Sequence, residues 1–304
     1  MLRRIFLELS HNRPLRHWME RSPLSQRLTS RFIAGETLQD GIRALKDLWA
    51  DKINGTLDFL GENVQSLSEG VRSRDCYLAA LDEIERAALP ATVSIKLTQF
   101  GLDFSEGGCR ENVMALVARA SEMKSRVEVD MESSEYTDRT LRIVYDVQDR
   151  FRGSIRAVIQ AYLYRSEEDI ARLSEARIPI RLCKGAYREG PEVAFPKKSE
   201  VDENYLTLMR LLLDGGTYPA IASHDETVIR EALRYSAEQK LASDRFEFQM
   251  LYGIRRDLQR QIIQKGYRLR LYVPYGGAWY PYFMRRLAER PANVLFLAKN
   301  LLRS

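Results

Sequence analysis

The sequence predicts an α/β chain closed into a (β/α)8, TIM-like barrel, and three observations predict it. Eight short runs rich in β-branched residues recur at intervals of about 20 to 40 residues. Segments with apolar residues at three- and four-residue steps separate them, the alternation expected of βα units around a parallel sheet. That pattern alone also allows an open doubly wound sheet. The runs end one after another on polar side chains, which a barrel gathers on a single rim, and this favours closure. A chain of 304 residues with 45% apolar side chains buries a large core, and such barrels use about 250 residues as one domain.

Taken in order, residues 1–52 read as an N-terminal helical segment and 53–304 as the catalytic barrel. Pro23 and Ser25 open one helical stretch, and GETLQDGIRALKDLWADK sets Leu38, Ile42, Leu45 and Leu48 on one face. The strands are expected at TLDFL from Thr56, TVSIKL from Thr92, RVEVDM from Arg126 and IRAVIQAYL from Ile155. IPIRLCKG from Ile178, PAIASH from Pro219, RFEFQML from Arg245 and RLRLYVP from Arg268 complete the eight. Between them, Asn112 to Met123 turns Val113, Leu116, Val117 and Ala120 toward a core. Asn204 to Asp214 does the same with Leu206, Leu208, Met209 and Leu212, and Gly215 and Gly216 supply a stop. The last strand runs through VPYGGAWYPY into a final helix. Read toward their C-termini, the strands deliver Asp58 and Glu62, Lys96, Asp130, Gln160, Arg181 and Lys184, His224, Gln249 and Tyr272.

The 47 basic and 42 acidic residues leave a formal charge of +5 that is spread along the chain, which disfavours nucleic acid as a partner. Cys76, Cys109 and Cys183 are odd in number and lack C-x-x-C spacing. With no secretory signal expected in MLRRIFLELS, they point to a reducing cytoplasm. No run approaches the roughly 20 apolar residues of a membrane span. The amphipathic segment from Leu2 to Trp18 allows peripheral contact with a membrane, although a helix packed on the barrel is the favoured expectation.

In YPYFMRRLAER, residues Tyr282, Arg285, Arg286 and Glu289 lie three or four apart and share one helical face. Two guanidinium forks suit a substrate carboxylate, and Glu289 suits an arginine partner or gate. By itself such a face is more often solvated, with salt bridges worth about 0.3–0.5 kcal/mol. The strand ends change this weighing, because Lys96 and Asp130 bring an ammonium and a carboxylate to the same rim, as a site pair or a structural one. Arg181 to Tyr187, with Ser223 and His224, offers cations, backbone amides and a hydroxyl suited to a pyrophosphate. No G-x-G-x-x-G, G-x-x-x-x-G-K-[ST] or G-x-S-x-G motif occurs. His11, His17 and His224 form no cluster of ligand spacing, and no metal is expected.

SIKLTQ, VDME, IQAYL, IRLCKGAY, ASHD, FEFQMLYG, LYVPYG and YFMRRLAE occur in order between about Leu57 and Leu302. Together they resemble the proline dehydrogenase family, including the flavin-dependent barrel of the bifunctional proline utilization proteins. The resemblance implies oxidation of L-proline to Δ1-pyrroline-5-carboxylate, the first step of proline catabolism to glutamate. It further implies noncovalent FAD and a membrane quinone as reoxidant. Lys96, Arg285 and Arg286 match the carboxylate-binding cations, and Asp130 the acid that supports them. Tyr272 and Tyr282 match aromatic walls, Arg181 the arginine beside the flavin, and Glu289 the acid paired with the helix arginines. Met131, Gln160, Lys184, Gly185, Ala186, Lys198, Ser223 and His224 match cofactor positions, with Lys198 in the most loosely aligned loop. The chain carries no aldehyde dehydrogenase module, so a single activity is expected, and the segment before Leu57 has no matching motif. Two other readings remain: oxidation of hydroxyproline or another secondary amine, against which the Tyr272 phenol argues, and a non-catalytic proline-sensing barrel.

Overall fold

The computed structural model describes residues 29–61 and 64–289, with side chains described as far as Met284. The expectations for Leu2 to Trp18, Pro23, Ser25, His11, His17 and Glu62 lie outside these residues, as do those for the side chains of Arg285, Arg286 and Glu289. Eight parallel strands close in sequence order into one barrel. They are β1 Asn54–Phe59, β2 Ala91–Ile95, β3 Val127–Val129 and β4 Ile155–Gln160, then β5 Ile180–Cys183, β6 Ala220–Ala222, β7 Glu247–Leu251 and β8 Arg268–Tyr275.

The helices form an outer layer, and local chemistry sets where they begin. In α1, Leu38–Ala50, Thr37 and Asp40 form a reciprocal capping box. Ser66 caps α2, Leu67–Arg86, and Ser105 caps α3, Glu106–Glu122. α3 thus starts six residues before the predicted Asn112, because the Ser105 cap outweighs the poor helix propensity of Gly107 and Gly108. Then follow α4 Thr137–Arg150, α5 Ser166–Glu175 and α6 Lys198–Gly215. α6 also begins earlier than Asn204, where Glu200 accepts from the backbone N–H of Lys197, and Gly216 terminates it. α7 Glu226–Glu238, α8 Arg256–Gln264 and α9 Trp279–Glu289 complete the set. No helix among the described residues is long and apolar enough to cross a membrane.

The core lies between the helices and the outer faces of the strands. Leu57, Val93, Val127, Leu182, Ile221 and Phe248 are fully buried there, with Tyr77, Leu116, Val144, Leu208 and Ile262 among their helical counterparts. Ile42 and Leu45 of α1 belong to the same core, so this helix packs on the barrel body. A second cluster seats α9. Trp279, Tyr280, Phe283 and Met284 join Phe32 and Ile33, Leu60 just beyond β1, and Ile254 just beyond β7. These contacts hold the first turns of the last helix over the C-terminal mouth, as expected from the sequence.

Candidate active site

Strand alternation sends every second residue into the barrel, and here many of those positions are charged. Branched aliphatic side chains usually fill such interiors. In this barrel, Arg156 of β4 donates to Glu247 of β7 at 2.6 Å and to Glu128 of β3 at 3.3 Å. Arg270 of β8 donates to Glu247 at 3.0 Å. The Gln249 amide bonds both carboxylates, and the Thr92 hydroxyl bonds Glu128. Burial raises the pKa of Glu128, but Arg181, Arg156 and Arg270 outweigh it and hold that carboxyl at about 2. The interior stays ionised because each buried charge has a hydrogen-bonded opposite.

Arg181 of β5 carries this network to the rim. Its guanidinium donates to Glu128 on one side, and on the other to Asp130 at 2.6 Å and to the Ser94 hydroxyl at 3.2 Å. The second oxygen of Asp130 accepts the Tyr272 hydroxyl at 2.6 Å. Lys96 Nζ stands 3.8 Å from Asp130 and 3.6 Å from Asp58. Burial, with Asp130 and Asp58 nearby, raises the Tyr272 phenol well above its ordinary value, so it is a neutral donor. Arg181 also lies 5.5 Å from the Tyr272 ring centroid, within cation–π range. The order from the interior outward is Glu128, Arg181, Asp130 and Lys96, with Lys96 and Asp130 partly exposed at the mouth.

The rim beyond β4 to β6 has a different character. Gln160 donates its amide to the Glu132 carbonyl at 2.8 Å, and its amide oxygen has no partner among the described residues. Lys184 bonds Asp202 at 2.5 Å and Asp225 at 2.8 Å, and Lys198 also reaches Asp202. Burial opposes the Lys184 charge, yet these two carboxylates raise its pKa. Ser223 accepts from the Asp225 N–H at 3.1 Å, which leaves its hydroxyl proton available. The Leu251 N–H donates to His224 Nε2 at 2.8 Å, so the neutral ring carries its proton on Nδ1. Met131 is buried beside Asp130, and Ala186 is exposed.

Gly185 closes the turn after β5 with φ of +111°, and an added Cβ would lie 2.3 Å from the Tyr162 ring. Gly185→Ala is expected to cost about 1–3 kcal/mol in urea unfolding. Gly153→Ala is the control: φ there is +80° but a methyl meets nothing within 4 Å. It should cost less, and equal losses would mean that the Tyr162 collision is unimportant.

Lys96, Asp130, Arg181 and Tyr272, named from sequence, therefore form one cluster, while Lys184 and Lys198 converge on Asp202. Tyr282 sits in the aromatic cluster under α9. Arg285, Arg286 and Glu289 lie on that helix. Sequence reasoning did not single out Glu128 or Ser94. The signal was present, since Glu128 is two residues before Asp130 and Ser94 two before Lys96, which puts each pair on the same strand face.

A closed parallel barrel whose C-terminal rim gathers an ammonium, a guanidinium, a carboxylate and a phenol defines a (β/α)8-barrel enzyme. A profile of the proline dehydrogenase family matches residues 41–299. The chain belongs to that family and is an oxidoreductase. It is similar to Proline dehydrogenase 1 of Bacillus subtilis (strain 168), with 39% identity over 304 residues and the full length of both chains. It is 40% identical over 280 residues to Proline dehydrogenase of Deinococcus radiodurans, covering 91% of this chain and 90% of that one. Among solved structures it resembles proline utilization A from Bdellovibrio bacteriovorus inactivated by N-propargylglycine. The TM-score is 0.80 at 27% identity, over 86% of this chain and 32% of that longer one.

Proposed function

We propose that this enzyme oxidises L-proline to Δ1-pyrroline-5-carboxylate, holding FAD at the β4 to β6 rim and passing electrons to a quinone. The observation that carries this reading is the Lys96, Asp130, Arg181 and Tyr272 cluster at the mouth, beside a rim with unspent hydrogen-bonding groups. Family membership and full-length relatives named for proline dehydrogenation support the substrate. The division into a helical segment, 1–52, and a catalytic barrel, 53–304, belongs to the same proposal. So does a cytoplasmic location with peripheral membrane contact.

The β4 to β6 rim fits a flavin chemically. The Gln160 amide oxygen suits the N–H edge of the ring system, and the Ser223 hydroxyl, Lys184, Lys198 and His224 suit the more polar part, with Met131, Gly185 and Ala186 between them. The flavin, when bound, supplies the hydride acceptor. Lys96 with Arg285 and Arg286 holds the substrate carboxylate, and Glu289 pairs with the helix arginines. Asp130, fixed by Arg181 and Tyr272, keeps Lys96 directed at the substrate, while the Tyr272 and Tyr282 rings wall the pyrrolidine. Such positioning converts an encounter into a near-attack pose, a contribution of several kcal/mol. No strong general base is needed when the substrate amine arrives unprotonated.

Anaerobic spectroscopy tests the proposal. Purified protein should be yellow and bleach when L-proline is added; a colourless protein that neither takes up FAD nor reduces a dye with proline would refute it. Arg286→Ala should retain FAD but show a large rise in KM, since removing one partner of a desolvated charge pair costs about 3–5 kcal/mol. Unchanged dye reduction would remove the helix arginines from the substrate site.

A further inference from the structure

A cavity of about 1140 Å³ opens at the end of the barrel opposite the active rim. Residues at the starts of strands border it, among them Asn54, Ala91, Ser154 and Arg268. Barrel enzymes do not place their chemistry at this face. Six cations line the cavity, Lys52, Lys124, Arg126, Arg152, Arg268 and Arg270, against one carboxylate, Glu85. Glu85 is already held by Arg119, and Arg270 is committed to Glu247. Arg268 has Asp244 as its carboxylate partner, at 3.7 Å, and donates to the Tyr218 hydroxyl at 3.3 Å.

Among the cavity's cations that are not exposed, Arg126 is the least compensated. This half-buried side chain donates Nε to the Gly153 carbonyl at 3.1 Å, and among the described residues no carboxylate lies within ion-pair distance of it. Its guanidinium stands 5.5 Å over the Tyr218 ring. Arg156 and Arg268 approach the same ring at 5.4 and 5.6 Å, so three cations gather around one aromatic ring. Burial, followed by the neighbouring Arg156, pulls the Arg126 guanidinium down to about 10. Glu128 and Glu247 offset this only from a distance; a desolvated cation without a direct ion-pair partner is costly, and an anion with several oxygens would relieve that cost.

We propose that this basal cavity binds a small, multiply charged phosphoryl anion of the diphosphate class, with Arg126 bonding it from within and Lys124 and Arg152 from the exposed edge. Guanidinium forks suit phosphoryl oxygens in pairs. Cations distributed around so wide a cavity match several charges on one molecule better than a single carboxylate. The site is separate from the catalytic rim and does not depend on which substrate that rim takes.

Calorimetric titration of the purified, cofactor-bearing protein with pyrophosphate tests this. Saturable one-to-one binding that weakens with added salt is expected. Arg126→Gln should weaken it about tenfold or more, the loss expected for a charged hydrogen bond, with turnover and KM unchanged. If Arg126→Gln does not fold, the double variant Lys124→Gln, Arg152→Gln, altered only at exposed positions, should also weaken binding. No pyrophosphate binding at millimolar concentration, or binding unchanged in the variants, would overturn the proposal. Binding to phosphatidylglycerol vesicles without binding to pyrophosphate would overturn it as well, and would mark a membrane-facing surface instead.

Discussion

Arg181→Met is expected to lower kcat/KM for proline-dependent dye reduction by roughly 10²–10³-fold, the scale of losing one preorganised charged donor, and to reduce unfolding free energy by about 3–5 kcal/mol. The arginine bonds Glu128 on one side and Asp130 on the other, so methionine of similar length leaves both carboxylates short of a partner. Glu128 keeps Arg156 and Arg270 nearby, which is why the fold should survive. Asp130 has fewer charged reserves: the Ser94 hydroxyl at 2.9 Å and the Tyr272 hydroxyl at 2.6 Å are neutral donors, and Lys96 stands 3.8 Å away. Its carboxylate would turn toward Lys96 and compete with the substrate for that cation. Arg181→Lys should recover part of the stability and less of the turnover, because one ammonium does not span two carboxylates as a fork does. Steady-state kinetics and urea unfolding of both variants provide the check. Turnover retained within a factor of a few in Arg181→Met would show that the arginine is structural only.

The barrel was legible because its signals are local. β-branched runs, cap residues and apolar steps each name their own element, and all eight strands appear where expected, although β3 and β6 contain only three residues each. The rim residues were legible for a related reason: Lys96 and Asp130 end their strands, and closure brings strand ends together. The interior was harder to read. Arg156, Glu247 and Arg270 are separated by 91 and 23 residues in sequence, and their pairing depends on the register of three strands, β4, β7 and β8. Each alone reads as an ordinary charged residue in a strand. Only closure shows that they meet with no water between them. Tyr282 illustrates another limit, since helical spacing put it on a face with the arginines but did not reveal its burial in the aromatic cluster beneath α9.

Glu128→Gln is expected to produce the second large effect, with a distinctive dependence on pH. Arg156, Arg181 and Arg270 are balanced in the wild type by Glu128, Asp130 and Glu247, so the neutral amide leaves one buried positive charge uncompensated. Breaking such a network at one member costs about 3–5 kcal/mol. The sign of the pH effect follows from the direction of the shift. The carboxyl is held at about 2 in the folded protein against an ordinary value of 4.5. Its ionised form therefore stabilises the fold fully above 4.5, and that contribution is lost as the pH falls toward about 2. The variant has no such group to titrate. The stability difference between the two proteins should thus be largest near neutrality and shrink through this acid window, as urea midpoints measured from pH 7 to pH 2.5 would reveal. A difference that stays constant with pH would mean that Glu128 acts through packing rather than charge. Activity should fall too, because Arg181 would keep Asp130 as its one close carboxylate, with the Ser94 hydroxyl beside it. The rim that meets the substrate is thus set by an ion network buried below it, and a loss at Glu128 should appear as misdirected Arg181 before it appears as a lost fold.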